Sequence, residues 1–160
     1  KRGIIRGVGN DQFAPEQRLT RWQAALMLVR AHNVSLENRP DPGFTDVPYD
    51  YEYYDVIAAA VDEGLFEGKD DNKFDPGAAL ERREMAVLLQ RIYDFPAANE
   101  SPPVTDINDD DWYADAVNRL YKAGITDGMT ETTFAPRHPV TREQFAVFMT
   151  RSIDENLRLK

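Results

Sequence analysis

The segment from Gly3 to Arg21, GIIRGVGNDQFAPEQRLTR, returns twice along the chain, as GLFEGKDDNKFDPGAALER and as GITDGMTETTFAPRHPVTR. Gly3, Gly7, Phe13, Pro15 and Arg21 reappear 61 residues later as Gly64, Gly68, Phe74, Pro76 and Arg82, and 60 residues after that as Gly124, Gly128, Phe134, Pro136 and Arg142. A fixed period of this kind describes a repeat architecture, in which units too small to bury a face alone pack against one another. With 160 residues in total, a single shared core is expected rather than three independent beads, because a unit of about 60 residues is marginal by itself.

Each complete repeat has the same plan. A short extended lead-in, FTDVP at residues 44–48 and VTDIN at 104–108, precedes a first helix. Tyr53, Ile57, Ala60 and Val61, and likewise Tyr113, Val117, Leu120 and Tyr121, recur at helical spacing and give that helix one apolar face. Gly64 and Gly124 stand where a helix closes through a left-handed residue. A structured loop follows, with Phe-x-Pro at its end and the phenylalanine turned inward. The second helix begins at Thr20, Glu81 and Thr141. Thr20 with Gln23 and Thr141 with Gln144 fit a reciprocal capping box, whereas Glu81 makes the middle cap weaker. The repeats therefore cover residues 1–36, 41–95 and 101–155, separated by the proline-rich, polar stretches 33–43 and 95–103. The last residues, DENLRLK, read as a fraying continuation of the final helix. Lys1 aligns with Asp62, so the first repeat begins without a lead-in or first helix, and the apolar surface this leaves predicts a second copy or an upstream segment to complete it.

The formal charge of -9 is unevenly spread: residues 1–40 carry a net +4, residues 41–110 a net -13 and residues 111–160 a net zero. No contiguous basic face is available to neutralise phosphates, which argues against a nucleic-acid partner. Apolar runs are far shorter than the ~20 residues of a membrane span, so membrane insertion is not expected. Cysteine is absent, which removes disulfides and thiolate chemistry. Ser35, Ser101 and Ser152 lie in no nucleophile pattern, and His32 and His138 stand alone as surface residues. In DINDDDW, Asp106, Asn108 and Asp110 fall on early calcium-loop positions, but Asp111 replaces the required glycine and Val117 the bidentate glutamate. No metal, cofactor or catalysis is expected.

The recurrent arginine is the informative residue. A cation in the first turn of a helix opposes the helix dipole by some tenths of a kcal/mol, so Arg21, Arg82 and Arg142 serve something other than helix stability. Two uses fit: an anion pocket, with the guanidinium beside unpaired helix N–H groups, or an ion pair to Asp46 or Asp106 of a following lead-in. The tyrosines at 49, 51, 53 and 54 admit both sugar stacking and plain packing.

The lead-in FTDVP and the helix start VTREQFAVFMTR, together with the threefold recurrence of the two loop glycines, Phe-x-Pro and the helix-start arginine, resemble the S-layer homology domain across nearly the whole chain. The resemblance implies a mainly α fold of three helix-loop-helix repeats packed with pseudo-threefold symmetry around a shared helical core. It also implies an exported, extracellular bacterial protein held non-covalently at the cell wall or surface layer by a secondary cell-wall polysaccharide bearing a pyruvate ketal. By motif, the glycan-binding residues are Arg21, Arg82 and Arg142, the lead-in Asp46 and Asp106, the loop glycines Gly7, Gly68 and Gly128, and the aromatic Trp112. Glu52 occupies the place of Trp112 in the second repeat, and Arg83 adds a second cation beside Arg82. Arg21 and Arg82 each have a following lead-in to face; Arg142 has none, so the first two grooves rank above the third. The competing reading is a surface-layer assembly module, in which the arginines only clamp repeats and the partners are other protein subunits.

Overall fold

The structure, a computed structural model, describes residues 17–159. Among these the protein is mainly helical, with helices α1 (Arg21–Ala31), α2 (Tyr54–Asp62), α3 (Arg82–Tyr93), α4 (Ala114–Lys122) and α5 (Arg142–Ile153), and short 3-10 turns at Asp70–Asn72 and Glu155–Leu157. The lead-in and loop segments are held by isolated antiparallel bridges, Thr20 with Ala79 and Glu81 with Pro139.

The arginines are the first residues of α1, α3 and α5, immediately after their caps. The two predicted capping boxes are present. Thr20 N–H donates to Gln23 Oε1 at 2.9 Å and Thr141 N–H to Gln144 Oε1 at 3.0 Å, while each threonine hydroxyl accepts in return from the glutamine N–H. At α3, Glu84 Oε1 accepts from Glu81 N–H at 3.0 Å, so the reach-back half of the box forms with a glutamate. Gly64 and Gly124 close α2 and α4 with φ of +73° and +78°, as the backbone freedom of glycine permits.

The chain divides into two compact units, Lys1–Leu80 and Glu81–Lys160. The division falls inside the second repeat and separates its loop from its second helix. In the first unit α1 packs against α2. Ala24, Ala25, Leu28, Ile57, Ala59 and Ala60 are fully buried, so α2 buries more than the single face that the periodicity describes. In the second unit α3 packs against α4 and α5, around Met85, Leu89, Val117, Leu120, Phe134, Phe145 and Met149. Each large apolar side chain so buried contributes about 1.5–3 kcal/mol.

The C-terminal segment differs from its sequence reading. Helix α5 stops at Ile153, and the chain turns back so that Leu159 N–H donates to Gly124 O at 2.8 Å. Arg158 fastens the turn: Nε and Nη2 donate to Arg151 O and Ser152 O, and Cζ lies 5.4 Å from the Phe95 ring centroid. These side-chain bonds to carbonyls at the end of α5 compete with further helix.

Candidate functional site

Both units build the same arrangement around the phenylalanine of Phe-x-Pro. In the first, Phe74 N–H donates to Asp46 Oδ1 at 2.9 Å and Asp75 N–H to Oδ2 at 2.8 Å. In the second, Phe134 N–H and Ala135 N–H donate to Asp106 Oδ1 and Oδ2 at 2.9 and 2.8 Å. Asp75 and Ala135 have φ of +59° and +60°, an unfavourable left-handed geometry for non-glycine residues. That turn brings two consecutive N–H groups onto one carboxylate, and the paired bonds offset its cost. Burial works to raise the Asp46 pKa, but the N–H groups of Phe74 and Asp75 outweigh it and hold the carboxyl below its ordinary value.

The carbonyl side of the same residue belongs to the arginine. Arg21 Nε donates to Phe74 O at 2.8 Å and Nη2 to Glu67 O at 2.9 Å, with Cζ 4.9 Å from the Phe66 centroid and 5.1 Å from that of Phe74. Arg82 Nε donates to Phe134 O at 2.6 Å, and its Cζ lies 4.6 Å from the Phe134 ring and 5.6 Å from that of Phe148. Arg21, Arg82 and Arg142 are 4%, 1% and 4% exposed. Arg21 and Asp46 are thus joined through Phe74, and Arg82 and Asp106 through Phe134.

The helix N–H groups are not an open pocket. Arg21 N–H and Trp22 N–H donate to Ala78 O and Pro76 O, and Arg82 N–H and Arg83 N–H to His138 O and Pro136 O. The loop backbone itself takes the donors that the sequence reading left for an anion. What remains is the guanidinium charge. Among the described residues no carboxylate lies within ion-pair distance of Arg82, and its buried Nη2 has no hydrogen-bond partner. Burial lowers the Arg82 pKa, opposed through space by Tyr121, Asp106 and Asp127. The Tyr121 hydroxyl is likewise buried without a partner, and its pKa is pushed up to about 12, chiefly by burial, with Arg82 acting in the opposite direction.

The loop glycines serve different neighbours. Gly128 has φ of +94°, and a Cβ there would strike the Tyr121 hydroxyl and the carbonyl oxygens of Thr133 and Thr130. At Gly68 a Cβ would run into the Phe44 ring. Gly7 lies outside the described residues. Burial lowers the Arg142 pKa.

Trp112 is 63% exposed. It meets Tyr113 edge to face at 5.0 Å, and Arg83 Cζ lies 5.6 Å from its ring centroid. In the first unit Glu52 is exposed at the corresponding place, and the tyrosines mostly pack. Tyr54 is in the core, Tyr53 stacks on Trp22 at 3.6 Å with 7° between the planes, and Tyr51 meets Tyr53 edge-on at 5.9 Å; Tyr49 is exposed. Sequence reasoning missed Tyr121 as a site residue. Its signal was the replacement of Val61 by tyrosine at the matching repeat position, which puts a hydroxyl where the first unit has only methyl groups.

His32 and His138 are exposed as expected. Among the described residues no cluster of three or more His, Asp or Glu side chains is placed to hold a metal ion, and no helix is long and apolar enough to cross a membrane.

The sequence model of the S-layer homology domain matches residues 1–25, 43–86 and 104–146. Similar proteins include the surface-layer 125 kDa protein of Lysinibacillus sphaericus, 31% identical over 156 residues, which cover 95% of this chain and 13% of that protein. The S-layer protein sap of Bacillus anthracis is 28% identical over 155 residues, 95% of this chain and 19% of that protein. The amylopullulanase of Thermoanaerobacterium thermosulfurigenes is 29% identical over 154 residues, 92% of this chain and 8% of that protein. The chain thus spans less than a fifth of the length of each of these relatives.

Proposed function

This chain belongs to the S-layer homology domain family, and from that premise we propose that it binds an acidic, pyruvylated cell-wall polysaccharide and makes or breaks no bond itself. Domains of this family are anchoring modules of the cell wall and surface layer, found both in surface-layer proteins and in glycosidases, and membership places the chain at the cell surface. The proposal concerns the ligand and the groups that hold it.

The observation that carries it is the burial of the Arg82 guanidinium without an ion pair among the described residues. A guanidinium 1% exposed, without an ion pair among the described residues and with Nη2 unbonded, is a costly arrangement, since an unpaired buried charge is penalised by several kcal/mol. Asp106 and Asp127 act on it only through space, and the field that remains favours an anion arriving at the surface. A pyruvate ketal presents such a carboxylate on a sugar ring. Because the arginines are buried, they act by holding the Phe-x-Pro loop and by their charge. Groups at the surface, with Trp112 foremost, make the contacts. The sites at Arg21 with Asp46 and Gly68, and at Arg82 with Asp106, Gly128 and Trp112, are the working ones, ahead of Arg142.

A second reading is favoured by the bonds from Arg21 and Arg82 to the carbonyls of Phe74 and Phe134, which are what a purely structural clamp would make. In that reading the partners are other surface-layer subunits. Sedimentation of the chain with purified wall polymer, before and after removal of the pyruvate, separates the two. Binding that depends on pyruvate supports the anchoring proposal; concentration-dependent self-association without polymer binding supports assembly.

A further inference from the structure

The two units are built alike at the phenylalanine and differently at the residue after the arginine. That residue is Trp22 in the first unit and Arg83 in the second. Trp22 lies flat on Tyr53, its centroid 3.6 Å away. Arg83 stands over the corresponding tyrosine, Tyr113, with Cζ 5.8 Å from the centroid, and also over Trp112 at 5.6 Å. Glu81 Oε1 accepts from Arg83 Nε at 2.7 Å, which orients the guanidinium and leaves its terminal nitrogens without a hydrogen-bond partner among the described residues. In the first unit the position of Trp112 is held by Glu52.

The two faces consequently offer opposite chemistry. On the second unit an exposed indole sits beside a fixed, partly exposed cation. An indole supplies a flat apolar face for a sugar ring, and an arginine fork supplies paired donors for a carboxylate. On the first unit the aromatic face of Tyr53 is covered by its own tryptophan, and the exposed charge beside it is an acid. Burial raises the pKa of both tyrosines, joined by Asp111 at Tyr113 and by Glu52 at Tyr53, but only at Tyr113 do cations, Arg83 and Arg137, act in the opposite direction.

Resting on the glycan-binding reading above, we propose that Arg83 and Trp112 form a charge-selective subsite confined to the second unit, which adds a grip on a sugar carrying a carboxylate, and that the first unit, lacking this pair, holds the same group more weakly. Arg83 is then the specificity-determining residue, and the two units are unequal receptors despite their matching loops.

The test uses the whole chain with two probes, a pyruvylated wall polysaccharide and the same polymer after mild acid has removed the ketal, in a titration of binding. Arg83→Gln is expected to weaken binding of the pyruvylated polymer about tenfold, the loss of one charge-assisted contact, while leaving binding of the acid-treated polymer unchanged. Trp112→Ala, at an exposed position that tolerates truncation, is expected to weaken both. Glu52→Gln is expected to weaken neither. Thermal melts of each variant separate lost contacts from lost folding. Equal affinity of the parent and Arg83→Gln for the pyruvylated polymer overturns the inference and leaves the anchoring proposal standing. A parent chain that binds neither polymer overturns both.

Discussion

Arg82 holds Phe134 twice, through Nε to the backbone oxygen at 2.6 Å and through its guanidinium 4.6 Å from the ring centroid. The opposite side of the same residue is tied by Asp106 to the N–H groups of Phe134 and Ala135. A basic and an acidic side chain therefore fix one loop residue without having to pair with each other.

Replacement of Arg82 should destabilise the second unit. Arg82→Ala leaves the Phe134 carbonyl without its donor and removes the cation from two aromatic rings, for an expected loss of about 2–4 kcal/mol. Arg82→Lys should recover only part of it, since an ammonium lacks the planar fork. Urea unfolding of the three proteins measures the difference; full recovery by lysine contradicts the geometry.

Acid should weaken the first unit through Asp46. Its folded pKa lies below the ordinary value, so the stabilisation is present above the unfolded carboxylate pKa of about 3.9 and is lost as pH falls through the folded value. Asp46→Asn should remove this part of the acid dependence and be less stable at neutral pH by about 2–3 kcal/mol. Denaturation midpoints between pH 2 and 7 provide the check.

Two matching glycines should respond unequally to alanine. At Gly64 an added Cβ meets nothing within 4 Å, so Gly64→Ala carries only the left-handed penalty, about 1–2 kcal/mol. At Gly124 the Cβ would strike the Leu159 backbone. Gly124→Ala should cost more and release the C-terminal turn, which limited proteolysis after Ile153 would reveal.

The two tryptophans should report separately on the two units. Trp22 is stacked on Tyr53 and Trp112 is 63% exposed. Trp112→Phe should leave a blue-shifted emission from Trp22 and abolish any fluorescence change on adding pyruvylated polymer. Tyr53→Ala should cost at least the ~0.5–1.5 kcal/mol of an aromatic pair and shift the Trp22 emission to the red. A polymer response that survives in Trp112→Phe would place the ligand in the first unit.

Much of the fold was legible because its determinants are local. A capping threonine, a left-handed glycine and a proline act within a few residues, so the starts of α1 and α5 and the ends of α2 and α4 followed from the sequence. Legibility failed where a partner lies far along the chain. The helix N–H groups of Arg21 and Trp22 seemed free because the carbonyls that take them, Ala78 and Pro76, lie more than fifty residues away. The C-terminal residues were read as helix for the same reason, their partners Gly124 and Phe95 being invisible to local propensity.

The sequence by itself determined the family and the helical repeats, since these rest on residue type and spacing. Only the tertiary structure decided that the arginines are buried, that they grip a phenylalanine carbonyl, and that Trp22 closes one face while Arg83 and Trp112 leave the other open. Burial and contact depend on what the rest of the chain brings to a position, so identical motif residues acquired different surroundings and unequal chemistry.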